Sequence, residues 1–429
     1  MKILDSSHLS AVQLQRLLVR TPANNRAAER TARRICRAVK QHGNAAVRKF
    51  SRQFDGCAPP VNPIPPAELQ NALRHASPTF VHALKSALRA IHRFHKPQLP
   101  SGKRIQTLQG VTCWRRAIPI PRVGLYVPAG SAPLPSTVLM LGVPAILAGC
   151  DSIALCTPPT PEGRVNPMIL AAACLTGIRE VYPLGGAQAI AAMAFGTESV
   201  PKVHKIFGPG NKYVNRAKQI VATDPDGCPV DMPAGPSEIL VIADRSANPA
   251  FVAADLISQA EHDADARVVL VTPDRQLARG VLTEIAAQVK DLPRRGITRR
   301  SLAAGFVLIT GSLTEAVRFA NDYAPEHLSV QTAHADRLAR DIRNAGSVFL
   351  GPFAPVAAGD YASGTNHTLP TGGTAVAYSG LTVEHFQKTV SFQSLSRKGF
   401  AQLAETVKIL AAAEGLEAHR RAITVRQRP

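Results

Sequence analysis

The chain has 429 residues, 45% of them hydrophobic, and carries 50 Lys and Arg against 30 Asp and Glu, a formal net charge of +20. That length is enough for two or three domains with substantial cores. Its apolar runs are short and broken by Gly, Pro and charge, which excludes a bilayer-spanning segment, and Met1-Lys-Ile-Leu-Asp-Ser-Ser-His8 lacks the apolar core of a secretory signal.

A soluble, cytoplasmic protein with no membrane role is expected. The seven cysteines (Cys36, Cys57, Cys113, Cys150, Cys156, Cys174, Cys228) are odd in number and have no Cys-x-x-Cys spacing. Neither a disulfide framework nor a thiolate zinc knuckle follows. Basic residues are scattered, with small clusters at Arg30–Arg34, Arg294-Arg295 and the tail after His419. No helix-turn-helix, zinc-finger spacing or aromatic platform accompanies them, so no specific nucleic-acid partner is expected. The charge can still steer anionic small molecules.

Residues 1 to about 110 read as mostly helical, with apolar residues at helical spacing over Arg26–Gln41 and Pro66–Pro97. From Pro119 the texture changes. Strands are predicted at 122–128, 152–156, 180–184 and 203–207, alternating with helices at 137–148, 166–176 and 187–194. Another helix opens at Gly208-Pro-Gly-Asn211. A second series runs through strands at 238–243, 267–271, 305–309 and 346–350, with helices at 248–262 and 274–289. From about Gly380 the chain reads as helical again. Strand–helix alternation predicts an α/β fold with two Rossmann-like but incomplete parallel-sheet domains, plus small helical segments at both ends. The expected units are 1–22, a helical arm; 23–121 together with 237–380; 122–236; and 381–429, a helical segment.

Glycine loops follow three of these strands: Pro128-Ala-Gly130, Gly185-Gly186-Ala-Gln188 and Gly208-Pro-Gly210-Asn211. None is a Gly-x-Gly-x-x-Gly with an acid about 20 residues on. Each is open to two readings, a plain turn or a ligand-holding loop.

Candidate chemistry gathers at four places. Asn248 is an N-cap and Pro249 a first helical residue. In the helix they open, Gln259 and His262 are three apart and share a face, as metal ligands or as a solvated end. Glu326-His327 sets a carboxylate beside an imidazole, an acid–base pair or an exposed turn. Asp360 stands alone among small residues, a turn former or a ligand. Glu414, Glu417 and His419 lie on a C-terminal helix, at a site or on a solvated face.

Taken together the blocks resemble histidinol dehydrogenase. They are Arg122–Pro128 with Ser131-Ala-Pro133 and Ser136-Thr-Val138, Gly185–Ile190, Phe207–Val214, Asp231–Glu238, Ser258–His262, Asn321–Leu328, Gly359–Thr371, and Ala413-Glu414 through His419. The resemblance spans almost the whole chain and implies roles. Gln259, His262, Asp360 and His419 would hold one zinc ion per subunit. Ser237, Gln259, His262, His327, Asp360, Glu414 and His419 would contact L-histidinol, with Glu414 suited to its cationic amine. Tyr126, Gln188 and Asn211 would contact NAD. His327 would take the hydroxyl proton, and Glu326 would activate water in the second oxidation. A homodimer is implied, in which the C-terminal segment, with Glu414 and His419, completes the partner's site. His367 falls in a matching block and is expected to support a ligand. The readings left beside it are a relative acting on another primary alcohol, a basic nucleic-acid-binding protein, and a zinc hydrolase.

Overall fold

The computed structural model describes residues 1–20, 26–129, 132–233 and 235–427. Gly130, Ser131 and Ala234, which belong to loops singled out above, lie outside the described residues.

The chain opens with β1 (Lys2–Asp5) and α1 (Ala11–Leu18), the latter closed by a capping box between Ser10 and Gln13. Three helices follow, α2 (Arg26–Phe54), α3 (Pro66–His75) and α4 (Pro78–His95), then β2 (Arg104–Leu108) and β3 (Val111–Pro119).

The first α/β series comprises β4 (Arg122–Tyr126), α5 (Pro135–Ala148), β5 (Ser152–Thr157), α6 (Pro167–Thr176), β6 (Glu180–Pro183), α7 (Gly186–Phe195), β7 (Lys205–Phe207) and α8 (Lys212–Thr223). Its strands form a parallel sheet in the order β6-β5-β4-β7. The second comprises β8 (Glu238–Ala243), α9 (Pro249–Ala260), β9 (Arg267–Thr272), α10 (Arg275–Gln288), α11 (Arg295–Ala304), β10 (Phe306–Ile309), α12 (Leu313–Tyr323), β11 (His327–Gln331), α13 (Ala335–Ala339), β12 (Ser347–Leu350) and α14 (Val356–Tyr361). They build a six-stranded parallel sheet, β1-β10-β9-β8-β11-β12. Both sheets wind alike: the first strand of each series lies inside, the next two step to one side, and the fourth crosses to the other. The α/β class with two incomplete Rossmann-like sheets is therefore as predicted.

Three expectations change. The N-terminal arm is not wholly helical, because β1 pairs with β10 and closes an edge of the larger sheet, while Leu4, Leu9, Leu14 and Leu17 pack on its core. The C-terminal segment begins with a strand, β13 (Gln387–Leu395), which joins β3 and β2 in an antiparallel sheet before α15 (Arg397–Ala413) and α16 (Glu417–Thr424). The helices within 23–121 cover the four-stranded unit, not the 237–380 unit. Their partners explain why. Helices α5, α6 and α7 are apolar on nearly every face, so facing the sheet leaves their outer sides uncovered. Helix α4 packs on α5, α3 on α6, and α2 on α7 and α8. Leu84 and Ile91 thereby join one core with Leu139 and Ile169, and Ile35 and Val39 another with Ile190 and Ala217. Among the described residues no helix is long and apolar enough to cross a membrane.

Candidate active site

Helix α12 ends at Ala324, whose φ of 46° is the one positive value outside glycine among the described residues. A side chain in that left-handed region costs ~1–2 kcal/mol. The turn it makes, followed by Pro325, sends Glu326 and His327 straight into the sheet. Both are buried, and His327 is the first residue of β11, between β8 and β12. The pair is thus an interior one and not an exposed turn.

Glu238, the first residue of β8, sets the orientation of both. Its backbone N–H donates to Glu326 Oε2 at 2.7 Å, and its carbonyl accepts from His327 Nδ1 at 3.0 Å. Since a carbonyl only accepts, Nδ1 carries the proton, and in the neutral ring Nε2 is the basic nitrogen. Nε2 is buried without a hydrogen-bond partner, 3.4 Å from Asp360 Oδ1. Glu326 Oε2 lies 3.6 Å from His327 Nδ1. Burial pushes the Glu326 carboxyl up to about 7, against the opposing charge of His327. For His327 burial works against the charged form, but the carboxylates of Glu326 and Asp360 outweigh it and raise the ring to about 9. Burial also acts to raise Asp360, yet the adjacent His327 ring holds it below the usual range.

The Glu238 side chain is itself 2% exposed, forms an ion pair with Arg20 across 3.0 Å and accepts from the Gly372 N–H at 3.2 Å. Arg20 also donates to the Tyr323 carbonyl and stacks on that ring, 3.7 Å from its centroid. The N-terminal arm thus places a part-buried cation against Glu238, which orients Glu326 and His327. Sequence reasoning passed over both residues. The available signal was Glu238 itself, an acid opening an apolar strand.

Helix α9 supplies the next two groups. Asn248 caps it by accepting from the Ala250 N–H, as its sequence predicts. The helix stops at Ala260, so His262 sits in the turn beyond it, not on the helix face. Its N–H still bonds the Gln259 carbonyl at 3.2 Å, which keeps the two neighbours. Gln259 is 1% exposed, and the Nε2 end of its amide has no partner. A buried carboxamide is costly unless paired, and exchanging its two ends would present an oxygen instead. His262 is exposed to solvent on the isolated chain, yet enough protein surrounds the ring to push its pKa down, with Asp360 opposing. Asp360 comes from the last turn of α14. His367 donates from Nδ1 to the Asp360 carbonyl at 2.9 Å, leaving Nε2 to accept from the Thr137 hydroxyl at 3.1 Å. Thr137 opens α5, so His367 also ties the two sheets together.

Gln259, His262, Asp360 and His327 therefore gather in one chain. Ser237 comes just ahead of β8, next in the chain to Glu238. Glu414 and His419 do not join them. Both are exposed on the C-terminal helices and make no hydrogen bond or ion pair with that group among the described residues. Nor do any three His, Cys, Asp or Glu of one chain form a complete cation site among the described residues.

The expected cofactor residues lie at the carboxyl ends of the smaller sheet, around the crevice between β4 and β7 where winding reverses, the usual ligand position in such sheets. Tyr126 ends β4, and its hydroxyl accepts from the Gly186 N–H at 3.0 Å. Gln188, buried in α7, donates to Asp55 Oδ2 at 3.2 Å. Asn211 caps α8, accepting from the Tyr213 and Val214 amides at 3.0 and 3.1 Å. Gly208, with φ 120°, passes so close to β4 that a Cβ would lie 2.2 Å from the Tyr126 carbonyl. A buried ion pair holds this loop: Lys218 meets Asp231 and donates to the Gly208 carbonyl at 2.8 Å, while Asp231 accepts from the Gly208 N–H at 2.8 Å.

The histidinol dehydrogenase family profile matches residues 18–427. The chain belongs to the histidinol dehydrogenase family. A histidinol dehydrogenase of Bacteroides fragilis is 48% identical over 396 residues, 92% of either chain. One of Xylella fastidiosa is 47% identical over 428 residues, 99% of each. A putative histidine biosynthesis bifunctional protein of Photorhabdus laumondii is 49% identical, and the chain spans 51% of its length. The crystal structure of the Elizabethkingia anophelis histidinol dehydrogenase superposes with a TM-score of 0.95 at 42% identity, covering 99% of this chain and 98% of that one. Family membership thus agrees with the fold and with the resemblance drawn from the sequence blocks.

Proposed function

We propose that the protein oxidises L-histidinol through L-histidinaldehyde to L-histidine, the last two steps of histidine biosynthesis, reducing two NAD in turn. The observation that carries this reading is the His327 ring. Its tautomer is set by the Glu238 carbonyl, and its basic Nε2 is buried, unpartnered and aimed toward Asp360.

His327 Nε2 takes the hydroxyl proton of histidinol as hydride leaves the carbinol carbon for the nicotinamide. Glu326, with a carboxyl that burial keeps near neutrality, then takes a proton from the water that adds to the aldehyde. A second hydride leaves the resulting diol. Asp360 must share its charge for this to work, since an unshared carboxylate there favours the protonated ring.

One zinc ion per subunit suits the donor set: a carboxamide with an unpartnered end, one imidazole and one carboxylate from this chain, with His419 contributed by the partner of a homodimer. Zinc held by Gln259, His262, Asp360 and His419 would anchor the substrate's nitrogen groups and orient its alcohol carbon. Ser237 and Glu414 contact the substrate, Glu414 at its amine. Tyr126, Gln188 and Asn211 face NAD. A cytoplasmic location goes with seven free thiols.

The reading is tested by a panel of primary amino alcohols assayed for NADH formation, before and after strong chelation and zinc readdition. Histidinol should lead in kcat/KM, and activity should vanish with the metal and return with it. A better substrate lacking the imidazole, or full activity without metal, would overturn it.

A further inference from the structure

Asp255 lies in α9 one turn before Gln259, is 5% exposed, and takes no part in the chemistry above. Its Oδ2 accepts from Gln331 Nε2 at 2.8 Å and from the Ser329 hydroxyl at 3.3 Å. Both donors lie on β11, two and four residues beyond His327. Helix α9 also packs on α14. Val356 is the first residue of α14, a helix with no side-chain cap of its own, and Asp360 lies one turn further along it. One buried carboxylate thus ties α9, which carries Gln259 and leads to His262, to β11, which opens with His327, while α9 itself packs on α14, which carries Asp360.

We propose that Asp255 is the positioning residue that holds α9, and α14 packed on it, in register with β11, so that the metal donors and the base meet at one point. The inference rests on the zinc reading given above. Short α14 packs on α9 and so follows its position. Asparagine fills the same volume but offers a single acceptor oxygen. Both donors share Oδ2, so an amide oxygen turned toward them gives uncharged, weaker bonds, and an NH2 turned toward them strands both. Loss of such outer support typically lowers metal affinity ~10–100-fold.

The test is the rate at which the zinc-loaded full-length protein loses metal to a colorimetric chelator. It compares Asp255→Asn, the milder Ser329→Ala, and Val252→Ala, a core change in the same helix. Zinc loss should quicken ~10-fold or more in Asp255→Asn, less in Ser329→Ala, and stay at the wild-type rate in Val252→Ala. The Asp255→Asn change should lower kcat at saturating histidinol, while KM for NAD holds. Should Asp255→Asn fail to fold, Ser329→Ala still decides the matter. Wild-type retention in both Asp255→Asn and Ser329→Ala would overturn the proposal, as would equal acceleration in Val252→Ala, which would mean general loosening. A wild-type protein that holds no zinc at all would instead overturn the zinc reading on which it rests.

Discussion

The two parallel sheets wind in the same order but present opposite ends to the site. In the four-stranded sheet the loops that bear Tyr126, Gly186 and Asn211 leave the carboxyl ends of strands, the usual ligand edge of such sheets. In the six-stranded sheet Glu238 and His327 are the first residues of β8 and β11, so its reactive groups stand at the amino ends. The Thr137–His367 bond joins the carboxyl end of one to the amino end of the other. The shared winding order therefore does not locate the chemistry. The larger sheet offers backbone groups at its strand starts, where the Glu238 amide and carbonyl meet a carboxylate and an imidazole.

This contrast predicts that damage at either edge stays on its own side. The largest effect should come from His327→Ala, which removes the base at the amino edge. Its kcat should fall about 10²–10⁴-fold, while NAD binding, read by fluorescence titration, should be unchanged. A parallel loss of NAD affinity would break the division of labour. At the other edge, Lys218→Met strands the buried Asp231. That should cost ~3–5 kcal/mol in urea unfolding and raise KM for NAD, with zinc content unaltered.

Asp255 gives a pH signature. Burial raises its carboxyl from 3.8 to about 6, with Ser329 and Gln331 opposing. An acid raised on folding contributes stability that is complete below its unfolded value and is lost as pH rises through the folded one. Between about pH 4 and 6 the wild type should lose up to ~3 kcal/mol relative to Asp255→Asn. Parallel stability curves for the two proteins would refute that shift. The smallest effect is expected from Glu326→Gln, which should slow oxidation of added histidinaldehyde ~10-fold or more while sparing the alcohol step. Equal slowing of both steps would mean that Glu326 serves only to hold His327.

Much of this was legible in the sequence, for physical reasons. Runs such as Val268-Val-Leu-Val271 between apolar helices declare buried parallel strands. The resemblance at Gln259, His262, Glu326, His327 and Asp360 named groups that the fold does bring together. What escaped depends on distant pairing. Strand β2 is exposed throughout, and β13 finds β3 more than 260 residues away, so neither shows a buried apolar pattern. The grouping of 23–121 failed because α2, α3 and α4 are amphipathic, and amphipathicity does not say which apolar surface will receive them. Arg20, Glu238 and Asp255 were passed over because their roles lie in contacts with backbone and with residues far along the chain. A lone acid among Val252-Ala-Ala and Leu256-Ile was the available hint for the last.

Two successive hydride removals at one site, with the aldehyde held between them, are the core of the proposed reaction. The direct measurement is NADH formed per histidinol consumed, with histidinol limiting and an aldehyde trap present. Two NADH per histidinol and no trapped aldehyde is the predicted result; one NADH with stoichiometric trapped aldehyde would contradict it.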